Sequence, residues 1–291
     1  MLTTLNQRFK EWNNLYHNEL VRLLLVTKPF FFIFAVYYSI QHADQALRYW
    51  SVSLVVCMVM TVVGTDIALH RYFSHKAFKT TSFKRFILEF VSIPCMSGSP
   101  LSWAVLHRKH HAECDTEGDP HSPTVIPWWK VWFYLKPSYI FDRTDDKRYY
   151  RGLISDRRLI FTHSYYFPLL LVYVLLIYLL FGWQWVLFGL IVPSAIVDFQ
   201  MACVNVICHL YGYESFPVKK NCKAKNNWLV HFITFCSFGY HNNHHADPGN
   251  FRTNKSKGEI DLPAWIIETF FLDSEEREKL QRKRMSAKIP N

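Results

Sequence analysis

Nine of the fourteen histidines fall into patterned groups whose spacing suits metal binding. The groups are HxxxxH at His70 and His75, HxxHH at His107, His110 and His111, a single His209, and a second HxxHH at His241, His244 and His245. Residues at i, i+3 and i+4 share one helix face, so each HxxHH is predicted to present three imidazoles to a common ion. So specific a pattern is not expected twice by chance.

The number and type of these ligands indicate two metal ions. Imidazole binds Zn, Cu, Fe and Ni, whereas a structural zinc site needs four ligands and a catalytic one three. Nine nitrogens divide as four and five over two ions that keep open positions. His70 and His75 would point roughly 140° apart on an ideal α-helix, so they need a helix end or a second ion to act together. Four of the other five histidines, His17, His42, His163 and His231, are interpreted as structural.

Four apolar runs supply the elements that would position the histidines. They cover residues 22–41, 50–69, 164–182 and 184–204, and each has about the 20 residues needed to cross a bilayer. The first two are predicted to form one hairpin, and a tight turn at Gly182 and Trp183 makes the other two a second hairpin. The patterned histidines lie at or just beyond the ends of these runs.

The predicted fold is therefore an all-α integral membrane protein with four transmembrane helices in two hairpins. Residues 70–163 and 205–291 are expected to form a helical cytosolic cap that carries the di-metal histidine site. The whole chain, residues 1–291, is interpreted as a single domain. The apolar segment 86–106 must begin and end on the metal side, so it is expected to be interfacial or to line a substrate tunnel.

The distribution of charge predicts orientation and argues against nucleic acid as a partner. The net charge is +10, but Arg48 is the one Lys or Arg in either predicted hairpin turn. The positive-inside rule then places both termini and the central segment in the cytoplasm. The basic face would meet anionic lipid headgroups or an anionic substrate.

The seven cysteines include no CxxC pair. Several, such as Cys57, Cys203 and Cys208, lie in or beside apolar runs. All seven are interpreted as reduced packing residues rather than a disulfide framework or zinc site.

The motifs HRYFSH, HRKHH, NVICH and HNNHH, in this order, resemble the membrane fatty-acyl desaturase family, in particular its Δ9, stearoyl-CoA desaturase-like branch. The resemblance covers roughly residues 25–272. It includes DTEGDPHSP (residues 115–123), HLYGY (209–213) and NNW (226–228).

The resemblance implies roles for individual residues. All nine patterned histidines would bind iron, and Asn205 would reach one ion through a water. Asp119 and His121 would lie behind the ligands, as groups that orient metal-binding imidazoles do. Trp103 would line the acyl tunnel, although an ordinary interfacial aromatic explains it equally well.

The resemblance further implies an O₂-dependent di-iron oxidoreductase of unsaturated fatty acid biosynthesis. It would introduce a cis double bond, at Δ9, into a saturated fatty-acyl chain linked to CoA or to a lipid. Iron fits because zinc cannot supply the redox chemistry that a C–H bond requires. Gly98 and Val105 replace polar residues that contact CoA in animal members, which leaves the substrate's linkage open.

Electrons would come from a separate donor, cytochrome b5 or a ferredoxin with its reductase, because no haem, flavin or nicotinamide motif is present. The expected location is a bacterial inner membrane or the endoplasmic reticulum. A hydroxylase or acetylenase on the same scaffold is the alternative enzyme. A metal transporter is disfavoured because the ionisable span residues, Asp66 and Asp198, are expected near cytoplasmic helix ends.

Overall fold

The computed structural model describes residues 2–135 and 147–286. Within these ranges the regular structure is helical, apart from a single bridge between Tyr213 and Asn226. The predicted cap also includes residues 136–146 and 287–291, which lie outside the described residues. The all-helical fold class is thus confirmed for the described part of the chain.

The helices vary from four residues to forty. They are α1 (Leu2–Gln41), α2 (Ala43–Val59), α3 (Ser82–Ser92), α4 (Pro100–Glu113), α5 (Trp128–Trp132), α6 (Arg157–Ser164), α7 (Tyr166–Phe181), α8 (Trp183–Val186), α9 (Val192–Leu210), α10 (Trp228–Ile233), α11 (His241–Ala246), α12 (Leu262–Ile266) and α13 (Ser274–Ser286). Three π-helical stretches, Met60–Ser74, Leu187–Ile191 and Ile267–Phe271, continue α2, α8 and α12.

In the described part of the chain, three helices are long and apolar enough to cross a membrane, and a bent pair supplies a fourth candidate. The three are Glu19–Gln41, Ala43–Ser74 and Trp183–Leu210, close to three of the predicted runs. The fourth candidate joins α6 and α7 across a bend of 65°. The 16 residues of α7 alone reach about 24 Å, short of the ~30 Å hydrocarbon core. The third predicted run is therefore a span only if the two helices act together.

The turns of the two helix pairs lie at the same end of the molecule. His42 separates α1 from α2, and Gly182, at a φ of +91° that favours glycine, separates α7 from α8. The ring centroids of Tyr38 and Trp183 are 5.0 Å apart, which brings the two turns together.

The opposite end is held by a core that fixes α4 beside the π-helical stretch Met60–Ser74. Ile67, Leu88, Leu101, Leu153 and Ile267 are buried together in this cluster. Each such side chain contributes about 1.5–3 kcal/mol on burial. The Ser99 hydroxyl caps α4 by accepting a hydrogen bond from the Ser102 amide. The cluster thereby positions the helix that carries the central HxxHH.

The predicted interfacial segment 86–106 is divided among α3, a short 3₁₀ turn (Ile93–Cys95) and α4. On α3, Phe83, Phe86 and Phe90 are exposed while Leu88 is buried. This one-sided exposure of aromatic side chains suits a helix that lies along a lipid surface.

Candidate metal centre

Five of the patterned histidines form the first of two clusters. Each offers a ring nitrogen within 4.8 Å of the others; they are His70, His75, His107, His111 and His244. The Nε2 atoms of His75 and His107 are 2.8 Å apart, and those of His70 and His244 are 2.9 Å apart. Two nitrogens bound at ~2.1 Å to one metal at right angles would be ~3 Å apart. The spacing therefore fits a shared ion.

The other four patterned histidines form a second cluster, again within 4.8 Å of one another. They are His110, His209, His241 and His245. The Nε2 atoms of His209 and His241 are 3.0 Å apart. The ring centroids of His111 and His245, one from each cluster, are 4.2 Å apart, so the two clusters adjoin.

Each HxxHH motif contributes to both clusters, which differs from the prediction of one common ion per motif. On α4, His107 and His111 belong to the first cluster and His110 to the second. On α11, His244 belongs to the first cluster, and His241 and His245 belong to the second. The reason is that side chains at positions i+3 and i+4 point about 100° apart around the helix axis. A pair of ions between α4 and α11 is therefore a better match to the motif than one ion on each helix.

His70 and His75 lie in the same cluster because of a local change in helix type. The chain from Met60 to Ser74 is π-helical, and the amide of His75 donates to the carbonyl of His70. Residues five apart are neighbours in this geometry, and the two ring centroids are 5.1 Å apart. His75 also caps the helix, as the sequence-based need for a helix end anticipated.

Three carboxylates orient one histidine each. The Nδ1 atoms of His70, His110 and His209 lie 2.9–3.0 Å from carboxylate oxygens of Asp66, Asp119 and Asp115, respectively. An ionised carboxylate only accepts hydrogen bonds, so each Nδ1 carries the proton and each Nε2 has a free lone pair. Asp119 was predicted for this role, whereas Asp66 and Asp115 were not.

The charge states of these groups suit metal binding. Burial lowers the pKa of His107, His111 and His244 well below the usual range, and neighbouring imidazoles lower it further. Burial opposes ionisation of Asp115, but hydrogen bonds from His209 and other donors outweigh it and lower the pKa to about 2. Neutral imidazoles backed by ionised carboxylates are the protonation states that a transition metal requires.

A network of buried asparagines holds α11 in place. The Asn226 side-chain oxygen accepts from the amides of Asn242 and Asn243, and its Nδ2 donates to the side chain of Asn243. Asn242 accepts in turn from the amides of Ser215 and Phe216. The NNW and HNNHH motifs are thus coupled: their asparagines fix the helix on which three histidines lie.

The remaining predicted site residues lie around the clusters. His121 stacks on His110 with centroids 4.3 Å apart, and Trp103 stacks on His107 at 4.9 Å. Burial lowers the pKa of His121 to about 3. Asn205 lies on α9, one turn before His209. None of the four histidines interpreted as structural belongs to either cluster.

The prediction that all cysteines are reduced is wrong for two of them. Cys114 and Cys222 form a disulfide across 108 residues, while Cys57, Cys95, Cys203, Cys208 and Cys236 are free. The end of α4 and the chain before α10 bring the two sulfurs together, which their sequence spacing could not indicate. The sulfur of Cys222 lies 3.4 Å from Nδ1 of His245, so the bond borders the second cluster.

The fold and these clusters define a helical protein with apolar spans and paired histidine clusters able to hold metal. The sequence profile described as fatty acid desaturase matches residues 47–250, and the chain belongs to this family of oxidoreductases. The resemblance read from the histidine motifs is thereby confirmed.

Named relatives place the chain among acyl desaturases. It is 29% identical to an sn-2 palmitoyl-lipid 9-desaturase of a Nostoc species, over 80% of this chain and 84% of the relative. An acyl-CoA 5-desaturase of Anemone leveillei is 28% identical over 88% and 77% of the two chains. Delta-9 acyl-lipid desaturase 2 of Arabidopsis thaliana is 27% identical over 76% and 72%.

Proposed function

We propose that this chain is an O₂-dependent, di-iron desaturase that introduces a cis double bond at Δ9 into a saturated fatty-acyl chain. The observation that carries the proposal is the pair of adjoining histidine clusters, backed by ionised carboxylates, at the ends of apolar helices in a member of this family. Two of the relatives described above are named 9-desaturases of acyl lipids, which supports both the position and the substrate class.

The nine patterned histidines would hold two iron ions, five at one and four at the other, with Asn205 reaching one of them through a water. Bound iron would supply the redox chemistry with O₂ by which two hydrogens leave an unactivated methylene pair. Other residues of the chain would orient the histidines that bind the iron. Asp66, Asp115 and Asp119 keep three imidazoles in the tautomer that presents Nε2, while His121 packs against His110.

Trp103 is proposed to line the path of the acyl chain. Its ring stacks on His107, and its centroid lies 6.1 Å from that of His70. These two histidines belong to the first cluster but come from different helices. A methylene chain offers no polar group for recognition, so the shape of an apolar path must select the carbon that reacts. An apolar wall beside the metals would also exclude water.

The chain would act as one domain with four spans in two hairpins and a cytoplasmic cap. The protein would lie in a bacterial inner membrane or the endoplasmic reticulum. Both termini and the metal centre would face the cytoplasm. Electrons would come from a separate donor, cytochrome b5 or a ferredoxin with its reductase. The excess of Lys and Arg on the cap would favour the approach of an acidic carrier.

Expression in a host without fatty-acid desaturation tests the function. Fatty-acid profiling by mass spectrometry, with double-bond location, should detect a new cis Δ9 chain in cells with the wild-type protein. Profiling the lipid and CoA fractions separately identifies the linkage.

Two histidine variants connect that product to the metal centre. His110→Ala should abolish the product and lower bound iron, because His110 lies in the second cluster. His42→Ala should do neither, because His42 stacks on Tyr38 at the opposite end. A hydroxylated product, or equal loss in both variants, would contradict the proposal.

A further inference from the structure

A buried ion pair lies inside the apolar spans, away from the histidine clusters. Lys28 on α1 and Asp198 on α9 are 1% and 6% exposed, and Nζ lies 2.5 Å from Oδ2. Charges in hydrocarbon are costly, so ionisable residues at such positions are kept mainly where they serve a function. An apolar pair of similar volume would often be as stable or more so. Helix packing alone is therefore a weak reason for this pair.

The pair lies on the face of α9 that leads to the metal centre. Asp198 precedes Asn205 by seven residues and His209 by eleven, which places all three side chains within about 40° of one another around the helix. At 1.5 Å per residue, Asp198 is about 10 Å from Asn205 along the axis and about 16 Å from His209. It is thus deeper in the span than the histidines, in line with them.

The pair also lies at the start of the second element that leads to the metals. Lys28 donates to the carbonyl of Met96 at 3.3 Å, and the Ser97 hydroxyl donates to Asp198 at 3.5 Å. Ser97 lies three residues before the start of α4, on which Trp103 and then His107 follow. From the metal centre, the chain that precedes α4 and the middle of α9 therefore both lead to the ion pair.

The geometry points to Lys28 and Asp198 as the residues that set the length of the acyl chain; this inference rests on the proposed function. A tail that runs from the metals between α4 and α9 would bring its methyl end to the pair. One lipid tail fills one leaflet, about half of the ~30 Å hydrocarbon core. The ~10 Å along α9 between Asn205 and Asp198 therefore has room for much of the tail beyond the reacting carbon. A longer tail would have to contact two charges and break their pairing.

Chain-length profiling of the full-length protein tests this inference. Cells that express each variant receive saturated fatty acids of increasing length, and the ratio of long to short unsaturated products is measured by mass spectrometry. Lys28→Ala combined with Asp198→Ala removes both charges and much volume, so this ratio should rise at least ~10-fold, the lower end of discrimination by one methylene. Asp198→Glu keeps the pair and extends it by one methylene, so the ratio should fall.

A second buried polar pair in the spans provides the matched control. Thr61 donates to Gln200 at 2.6 Å, and Gln200 lies about 140° around α9 from Asn205. Thr61→Val with Gln200→Leu should leave the ratio unchanged.

The outcomes separate this inference from the proposed function. An unchanged ratio in an active Lys28/Asp198 double variant would show that the pair only joins helices and would overturn the inference. If that variant fails to accumulate, Asp198→Glu decides, because an unshortened profile overturns the inference equally. No unsaturated product from the wild type at any length would instead overturn the proposed function.

Discussion

At the scale of single residues, the centre depends on carboxylates that never need to touch a metal. Asp66, Asp115 and Asp119 come from different parts of the chain, yet each accepts from Nδ1 of one clustered histidine. Each carboxylate fixes both the tautomer and the rotation of its ring. The lone pairs of the three Nε2 atoms are thereby oriented before an ion arrives, which reduces the cost of assembling the site.

Removing one of these charges should weaken metal binding without removing a ligand. Asp119→Asn keeps the shape of the side chain but no longer offers two anionic acceptors to His110, so affinity for the metal should fall about 10–100-fold. Competition with a chelator, followed by metal analysis, measures the change. Asp44→Asn, at an exposed position in the first turn of α2, is the control. Unchanged metal retention in Asp119→Asn, or equal loss in both variants, would contradict the orienting role.

The sequence identifies the histidines more readily than their partners. The HxxHH spacing is local, so nine histidines could be selected, and DTEGDPHSP pointed to Asp119. Asp66 lies four residues before His70, a spacing that could have indicated the contact. Asp115 lies 94 residues from His209, and only the folded chain brings the two together.

At the scale of elements, deviations from the ideal α-helix decide which histidines meet. The π-helical stretch that continues α2 brings His70 and His75 onto one side, where an α-helix would have separated them. The apolar pattern of the sequence located α1, α2 and α9 well, because burial and lipid exposure depend on composition. It could not locate the bend at Tyr165 between α6 and α7, which is a matter of backbone angles at one residue.

The disulfide should stabilise the contact between the end of α4 and the chain before α10 in the oxidised protein only. Under oxidising conditions, Cys114→Ser with Cys222→Ser should lose about 2–4 kcal/mol of stability, because the bond closes a long loop. Thermal unfolding in detergent, with and without a reductant, measures this. The reductant should lower the Tm of the wild type and leave the double variant unchanged.

A free cysteine controls for the substitution itself. Cys236→Ser leaves the bonded pair intact, so its Tm should still fall on reduction. Identical responses of the wild type and the Cys114/Cys222 variant to the reductant would show that the two sulfurs are not bonded in the protein.

At the scale of the whole molecule, charge and aromatic side chains distinguish the two ends. The end with both turns holds Tyr38, Tyr49, Trp183 and Trp185 in mutual ring contacts, as expected of an aromatic belt at a membrane interface. Among the residues that the structure describes, Arg48, packed over Trp185, is the one Lys or Arg near these turns. The histidine clusters and most of the Lys and Arg residues lie toward the other end. The metal centre and most of the positive charge would therefore be on the same side of the bilayer.

This asymmetry predicts that the turn end lies outside the cytoplasm and the metal centre inside. A fluorescent protein fused after Asn291 should fluoresce, because it folds in the cytoplasm. Alkaline phosphatase is active only after export, so it should be active when inserted at His42 or Gly182. Exchanging the two reporters supplies the control, since each should then be silent. An inactive phosphatase at both turns would contradict this orientation, because it would place the turns in the cytoplasm. The metal centre would then lie outside the cytoplasm, away from cytosolic electron donors. The positive-inside rule makes that arrangement unfavourable, because it would require the Lys- and Arg-rich segments after α2 and α9 to be translocated while a single Arg remained inside.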